Sequence, residues 1–388
     1  MRLGFRSILI PLAVCLASTA LAVPAVAADL QTSQQPAAPQ GATALNVETL
    51  AENLGSPWSI GFLPDGSILL TERFGRLRVL RDGKLVETPV AGVPETFSDR
   101  QAGFFDILVD PDFAQNRRIF LAYAQGKSSD NALRVISATF DGAALSNLKT
   151  IYDARPRKDT PVHFGGRLAL LPDGTLLITT GDGFDYREKA QKLDAAFGKT
   201  VRVNVDGTIP ADNPFVNKSG ALPEIFTYGH RNVQGLAVDP QSGLIFAHEH
   251  GPRGGDEINI LAPGKNYGWP IACYCVDYSG ARITPYTEYK GVEQPMKYWV
   301  PSIAPSGLSV YHGALFPDWD GDLLVGALAR TALHRVIMKD GKPVGEERYL
   351  VGERVRDVRV GPDGAIYVTT ETRYTDGGGK LLRLTPAQ

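Results

Sequence analysis

The 388-residue chain repeats one local pattern six times: an apolar strand, a turn built on proline with Asp-Gly or a relative, and a second apolar strand. It reads "SIGFLPDGSILLTERFGRLRVL" around Pro64, "FFDILVDPDFAQNRRIFLAY" around Pro111 and "RLALLPDGTLLITTGD" around Pro172. It returns as "GLAVDPQSGLIFAHE" at Pro240, "GLSVYHGALFPDWDGDLLVGAL" at Pro317 and "DVRVGPDGAIYVTTET" at Pro362. Proline presets the first turn torsion and glycine accepts a positive φ, so each copy predicts a β-hairpin. The copies are spaced widely enough for about four strands each. That predicts an all-β fold, a six-bladed β-propeller with four-stranded antiparallel blades around a central channel. A pair of β-sandwich domains is the alternative, but no linker divides the repeating region. The 41 glycines and 27 prolines agree with many short strands and turns.

Residues 1–27 stand outside this pattern. Arg2 and Arg6 precede an apolar run, and Ala25-Val26-Ala27 matches a small-x-small cleavage site, so a signal peptide is expected there. The run is short for a membrane anchor, and no stable membrane insertion is expected. Residues 28–45, rich in Gln, Ala and Pro, read as a flexible linker, and 46–388 as a single propeller domain. Export implies a periplasmic or secreted protein. The net charge of −2 carries no signal for nucleic acid or an anionic membrane. Of three cysteines, Cys15 falls in the leader, leaving Cys273 and Cys275. On a strand they would share a face, where a bond between them would be strained but not forbidden.

Loops at one mouth of a propeller build its site, so the residues just ahead of each inner strand matter most. There the chain places His163, Arg231, Asn232, Arg354 and Arg356, with Gln101 in the matching place of the second unit. Asp182 ends the hairpin that His163 opens, in "PVHFGGRLALLPDGTLLITTGDG". A histidine with a buried carboxylate partner suits proton abstraction near neutral pH. Convergent guanidiniums suit a polycarboxylate ligand. For Arg354 or Arg356 singly, an ordinary ion pair with a nearby acid is an equal alternative. His248 and His250 could share a strand face, but no further spacing supports zinc. Asp256-Glu257 reads as a solvated or turn-capping pair.

The segments "HFGGRL", "YGHRNVQGLAVDP", "HEHGPRGGDEINILAPGKNYGWP", "PSIAPSGLSVY" and "RVRDVRVGPDG" resemble, in motif order, the soluble PQQ-dependent aldose and glucose dehydrogenases. PQQ is pyrroloquinoline quinone. The resemblance spans roughly residues 46–385 and implies a six-bladed quinoprotein that oxidises aldose sugars at C1 to lactones. It implies His163 as general base, Asp182 as its orienting carboxylate and Arg231 beside the reactive quinone carbonyl. Gln101, Asn232, Arg354 and Arg356, together with His163 and Arg231 themselves, take cofactor-contacting positions, and the carbonyls of Gly251 and Pro252 take those of Ca²⁺ ligands. Ala329 stands where the family typically has a lysine, and Arg330, if on a strand, would face away.

No Cys-x-x-Cys-His haem site is present, so electrons are expected to pass to an external acceptor such as a cytochrome, a quinone or a dye. Two other function classes stay open. One is a non-catalytic propeller that binds a sugar or protein. The other is a calcium-dependent lactone hydrolase.

Overall fold

All six expected hairpins form, and each is the inner half of one blade in the computed structural model, which describes Gln35 and residues 37–387. The expected signal peptide and residues 28–34 and 36 of the expected linker lie outside these residues. The innermost strands are Pro57–Phe62, Phe104–Val109, Gly165–Leu170, Val233–Val238, Pro305–Val310 and Arg354–Val360, which define blades 1 to 6. Each blade is a four-stranded antiparallel sheet, and in blades 1 to 5 the strands run outward in chain order. Blade 6 differs because its outermost strand is the N-terminal Leu45–Leu54, paired with Gly379–Pro386. The ring therefore closes on both ends of the chain. Just before that strand, Gln40 bridges Arg348 of blade 5, so contacts with the propeller begin inside the expected linker. No helix among the described residues is long and apolar enough to cross a membrane.

The turns work as their residues require. Gly66, Gly174 and Gly364 hold φ of +84°, +79° and +76°, and the preceding aspartates accept backbone N–H bonds from Ser67, Thr175 and Ala365. The apolar side chains of successive blades meet in six clusters, one per blade–blade interface. Phe105, Phe120 and Leu168 pack between blades 2 and 3, for example, and Trp319, Tyr349 and Val358 between blades 5 and 6. Burial of this kind contributes about 25 cal/mol per Å² of apolar surface, and with a single disulfide it carries the stability.

Every inner strand also slips register near its first residues, between Pro57 and Ser59, Phe104 and Ile107, and Gly165 and Leu168 in blades 1 to 3. The same slip lies between Val233 and Gly235, Pro305 and Leu308, and Val355 and Asp357 in blades 4 to 6. A bulge re-aims the side chains around it. Six bulges at one end therefore turn the starts of the inner strands into a shared mouth.

Below the mouth, Arg167 plugs the channel at 1% exposure. Its guanidinium pairs with Asp357 at 2.9 Å and Asp106 at 3.4 Å, donates to the Gln234 carbonyl at 2.7 Å and lies 4.0 Å over the Trp58 ring. Arg359 completes the cluster against the same two aspartates. Removing one member of a buried ion pair leaves uncompensated charge. Arg167→Met should therefore lower the free energy of unfolding by about 3–5 kcal/mol in denaturant titration. A loss below about 1 kcal/mol, the range of exposed pairs, would show that Arg359 neutralises both aspartates alone.

Candidate active site

His163 sits at the mouth on the loop entering blade 3, and local chemistry holds it there. Its own φ is +51°, and Gly165 and Gly166 follow at +68° and +95°. A Cβ on Gly165 would stand 2.7 Å from the Thr179 carbonyl oxygen, so only glycine lets the loop drop onto the next strand. Lys158 clamps the loop from behind, donating to the carbonyls of Thr160 at 2.5 Å and Val162 at 2.7 Å over the Phe164 ring. Burial pulls its ammonium down to about 7. The Gln101 side-chain oxygen accepts from the His163 backbone N–H at 2.9 Å.

The expected dyad forms. His163 Nδ1 lies 2.7 Å from Asp182 Oδ1, with both residues buried. Asp182 also accepts from the Phe184 backbone N–H at 2.8 Å and from Trp269 Nε1 at 2.7 Å. Burial works against its charge, but His163, Arg231 and the Phe184 N–H hold it below the usual carboxylate range. An ionised Asp182 places the proton on Nδ1 and leaves Nε2 as an acceptor. For His163 itself, burial and then the Arg231 charge push the pKa below its ordinary value of 6.5, against the opposing pull of Asp182. The imidazole is therefore neutral at neutral pH, as a base must be.

Arg231, 4% exposed, donates from Nη1 to the carbonyls of His250 and Gly251, each at 3.1 Å, and from Nη2 to the Tyr278 hydroxyl at 3.4 Å. Its backbone N–H donates to Glu249, whose other oxygen meets His230 Nδ1 at 2.7 Å. Together with Pro252, Phe184, Trp269 and Tyr278, the dyad and Arg231 line a cavity of about 240 Å³.

The remaining expected residues line a neighbouring cavity of about 220 Å³, where Gln101, Asn232, Arg354 and Arg356 meet Arg73, Arg373 and Tyr374. Asn232 Oδ1 accepts from the Gly165 N–H at 3.1 Å and the Gln234 amide at 3.4 Å, joining blades 3 and 4 between the two cavities. Arg354 and Arg356 do pair with an acid, but with the same one, Glu371, at 3.1 Å and 3.0 Å. One carboxylate thus faces several guanidiniums, and the cavity carries a positive surplus that suits a polycarboxylate. Ala329 is half-buried in the turn after Leu323–Ala327, next to Leu328 of the cavity wall.

Several expectations need correction. Asp256 is buried rather than solvated: it accepts from the backbone N–H of Gly251, Ile303 and Ala304 at 2.8–2.9 Å, and burial raises its pKa to about 6. Arg330 lies in a turn with φ +71°, so strand alternation does not set its direction; it is exposed. Cys273 and Cys275 form a disulfide in an irregular loop rather than on a strand, with Cα atoms 5.3 Å apart. His248 and His250 contact the carbonyls of Gly307 and Pro305 in blade 5, which makes them interblade struts.

Trp269, Glu249, Glu371, Phe184, Tyr278 and Arg73 were not foreseen as site residues. Trp269 is the penultimate residue of the quoted "KNYGWP" run, so a signal for it existed. Tyr278 and Arg73 carry none locally.

The charges around His163 make a directional prediction. In an NMR titration of its imidazole, the wild-type pKa should lie below 6.5. Arg231→Met removes a nearby cation and should raise it, whereas Asp182→Asn removes the anion and should lower it further. A wild-type value at or above 6.5, or shifts of the opposite sign, would contradict this electrostatic arrangement.

Comparison with known proteins agrees with this architecture. The model of the glucose / sorbosone dehydrogenase family matches residues 54–383. The aldose sugar dehydrogenase YliI of Escherichia coli is 41% identical over 351 residues, covering 88% of this chain and 93% of that protein. The crystal structure of the soluble aldose sugar dehydrogenase from Escherichia coli, in the apo form, superposes with a TM-score of 0.85 at 40% identity, over 89% of this chain and all of that one. A PQQ-bound aldose sugar dehydrogenase from Streptomyces coelicolor superposes with a TM-score of 0.71 at 27% identity, over the same shares. The six-bladed ring, the dyad at its mouth and a family match across nearly all its blades lead to one conclusion: the chain belongs to the glucose / sorbosone dehydrogenase family of oxidoreductases.

Proposed function

We propose that this protein oxidises aldose sugars at C1 to lactones with PQQ and Ca²⁺, and passes the electrons to an external cytochrome, quinone or dye. The observation that carries the reading is the neutral, Asp182-oriented His163 beside a cavity lined by Arg73, Arg354, Arg356 and Arg373. Those guanidiniums suit a cofactor with clustered carboxylates. Two buried nitrogens of Arg73, Nε and Nη1, have no hydrogen-bond partner among the described residues, as expected of a surface built for an anion. For calcium the fit is partial. The Gly251 and Pro252 carbonyls are hard oxygen donors, yet they supply two of the six to eight ligands that ion takes. Cofactor oxygens and water would supply the rest, and the Gly251 carbonyl would be shared with Arg231.

Bound PQQ would supply a two-electron acceptor for the hydride leaving C1. His163 Nε2 would take the proton of the C1 hydroxyl, and the charge gained by the imidazole would face Asp182 at 2.7 Å. Trp269 and the Phe184 N–H hold Asp182 against rotation, so the imidazole keeps its aim. Arg231, which lines the same cavity, would stabilise negative charge developing on an oxygen there. Phe184 and Tyr278, 45% and 55% exposed, offer apolar faces on which a sugar ring can rest. A signal peptide at residues 1–27, as the sequence predicts, would place this work in the periplasm or outside the cell.

Reconstitution of purified residues 28–388 tests this reading. Neither PQQ nor Ca²⁺ alone should give activity, both together should support aldose-dependent dye reduction, and a chelator should remove it. An unchanged PQQ spectrum with calcium present would favour a binding propeller. Bound PQQ that no aldose reduces would leave the cofactor in place and overturn the substrate.

A further inference from the structure

Two arginines of this cavity, Arg73 and Arg373, have no direct ion pair among the described residues, and of these Arg373 is exposed while Arg73 is buried. Arg73 follows the strand Ile68–Glu72 of blade 1 and is only 4% exposed. Its backbone is fixed on both sides: the N–H donates to the Ser56 carbonyl at 3.2 Å, and its own carbonyl accepts from Phe104 at 3.0 Å. Gly103 makes room for it, since a Cβ there would stand 2.3 Å from Arg73 Cγ. The guanidinium lies 4.5 Å over the Tyr374 ring, and Nε and Nη1 are buried without a hydrogen bond.

That arrangement is costly unless something completes it. Arginine stays charged inside proteins, and a buried donor without a partner costs about 1–3 kcal/mol. Glu371, the acid whose charge acts most strongly on Arg73, is no remedy, because it is committed to Arg354 and Arg356. A face stack on Tyr374 satisfies the planar surface of the guanidinium but none of its N–H edge. The edge needs an acceptor, and Arg73 lines the same cavity as Arg354, Arg356 and Trp58.

Resting on the cofactor reading above, we infer that Arg73 is a carboxylate anchor for bound PQQ, contributed by blade 1 where Arg354 and Arg356 come from blade 6. The cavity is then charged for its ligand before the ligand arrives, and the protein without cofactor bears the strain of that preparation.

Two measurements on full-length protein test the assignment. Trp58 lines the cavity, so PQQ added with Ca²⁺ should quench tryptophan fluorescence and yield a Kd. Arg73→Met should raise that Kd about tenfold or more, as expected for a lost charge-assisted hydrogen bond. Arg73→Lys should recover part of the loss, and Arg330→Met, altering an exposed arginine in a turn, should leave Kd unchanged. Without cofactor, Arg73→Met should melt at or above the wild-type temperature. An unchanged Kd in Arg73→Met, with wild type binding normally, overturns the assignment and leaves the cofactor reading intact. A lowered melting temperature with no recovery in Arg73→Lys also overturns it, marking Arg73 as structural. Failure of wild type to bind PQQ sinks the cofactor reading and this inference with it.

Discussion

A single guanidinium in the channel touches every blade of the propeller. Arg167 belongs to blade 3, stacks on Trp58 of blade 1 and pairs with Asp106 of blade 2 and Asp357 of blade 6. It donates to the Gln234 carbonyl of blade 4 and the Ser306 carbonyl of blade 5. Apolar packing joins blades only to their neighbours, as the six interface clusters show. Arg167, together with Arg359 on Asp106 and Arg356 on Gln234, relates non-adjacent blades inside the channel. Directly above it the inner strands bulge, and those bulges aim the residues that matter into the mouth. Site geometry is thus inherited from the channel rather than from any one loop.

The mouth separates two kinds of charge. Around His163, one carboxylate is saturated by three donors and fixes the tautomer, and burial, with the nearby Arg231, keeps the imidazole neutral. Around Arg354 and Arg356 the balance is reversed, with guanidiniums in excess over Glu371. Asn232 stands between the two, bonded to Gly165 of the His163 loop and to Gln234 beside Arg356. On the proposed reading, a proton-accepting chamber would stand next to an anion-holding one, as hydride abstraction from an alcohol needs. The base must stay uncharged while the acceptor's negative groups are neutralised.

Much of this was legible in the sequence because it rests on local signals. Pro-Asp-Gly turns between apolar runs mark a hairpin wherever they occur, and counting them yields the blades. His163, Asp182, Arg231, Arg354 and Arg356 could be placed at one mouth because each sits at a fixed point of that repeat. What escaped depends on packing between distant segments. Trp269 reaches Asp182 across 87 positions, and Arg73 reaches its cavity only because Gly103 on the next blade vacates the space. Asp256 looked like a surface acid because its partners, the backbone N–H groups of residues 303 and 304, come from a later blade. Arg330 was misjudged because a positive φ turned a strand into a tight reversal.

The role of His163 is tested most directly by anaerobic stopped-flow mixing of PQQ- and Ca²⁺-loaded protein with an aldose, following the absorbance of the bound cofactor. His163→Gln should slow its reduction by about 10²–10⁴-fold, the usual yield of a positioned base, while the Kd for PQQ stays at the wild-type value. Reduction at the wild-type rate would contradict proton abstraction by His163. A rate loss matched by an equal loss of PQQ affinity would contradict it too, by making the residue a cofactor ligand rather than the base.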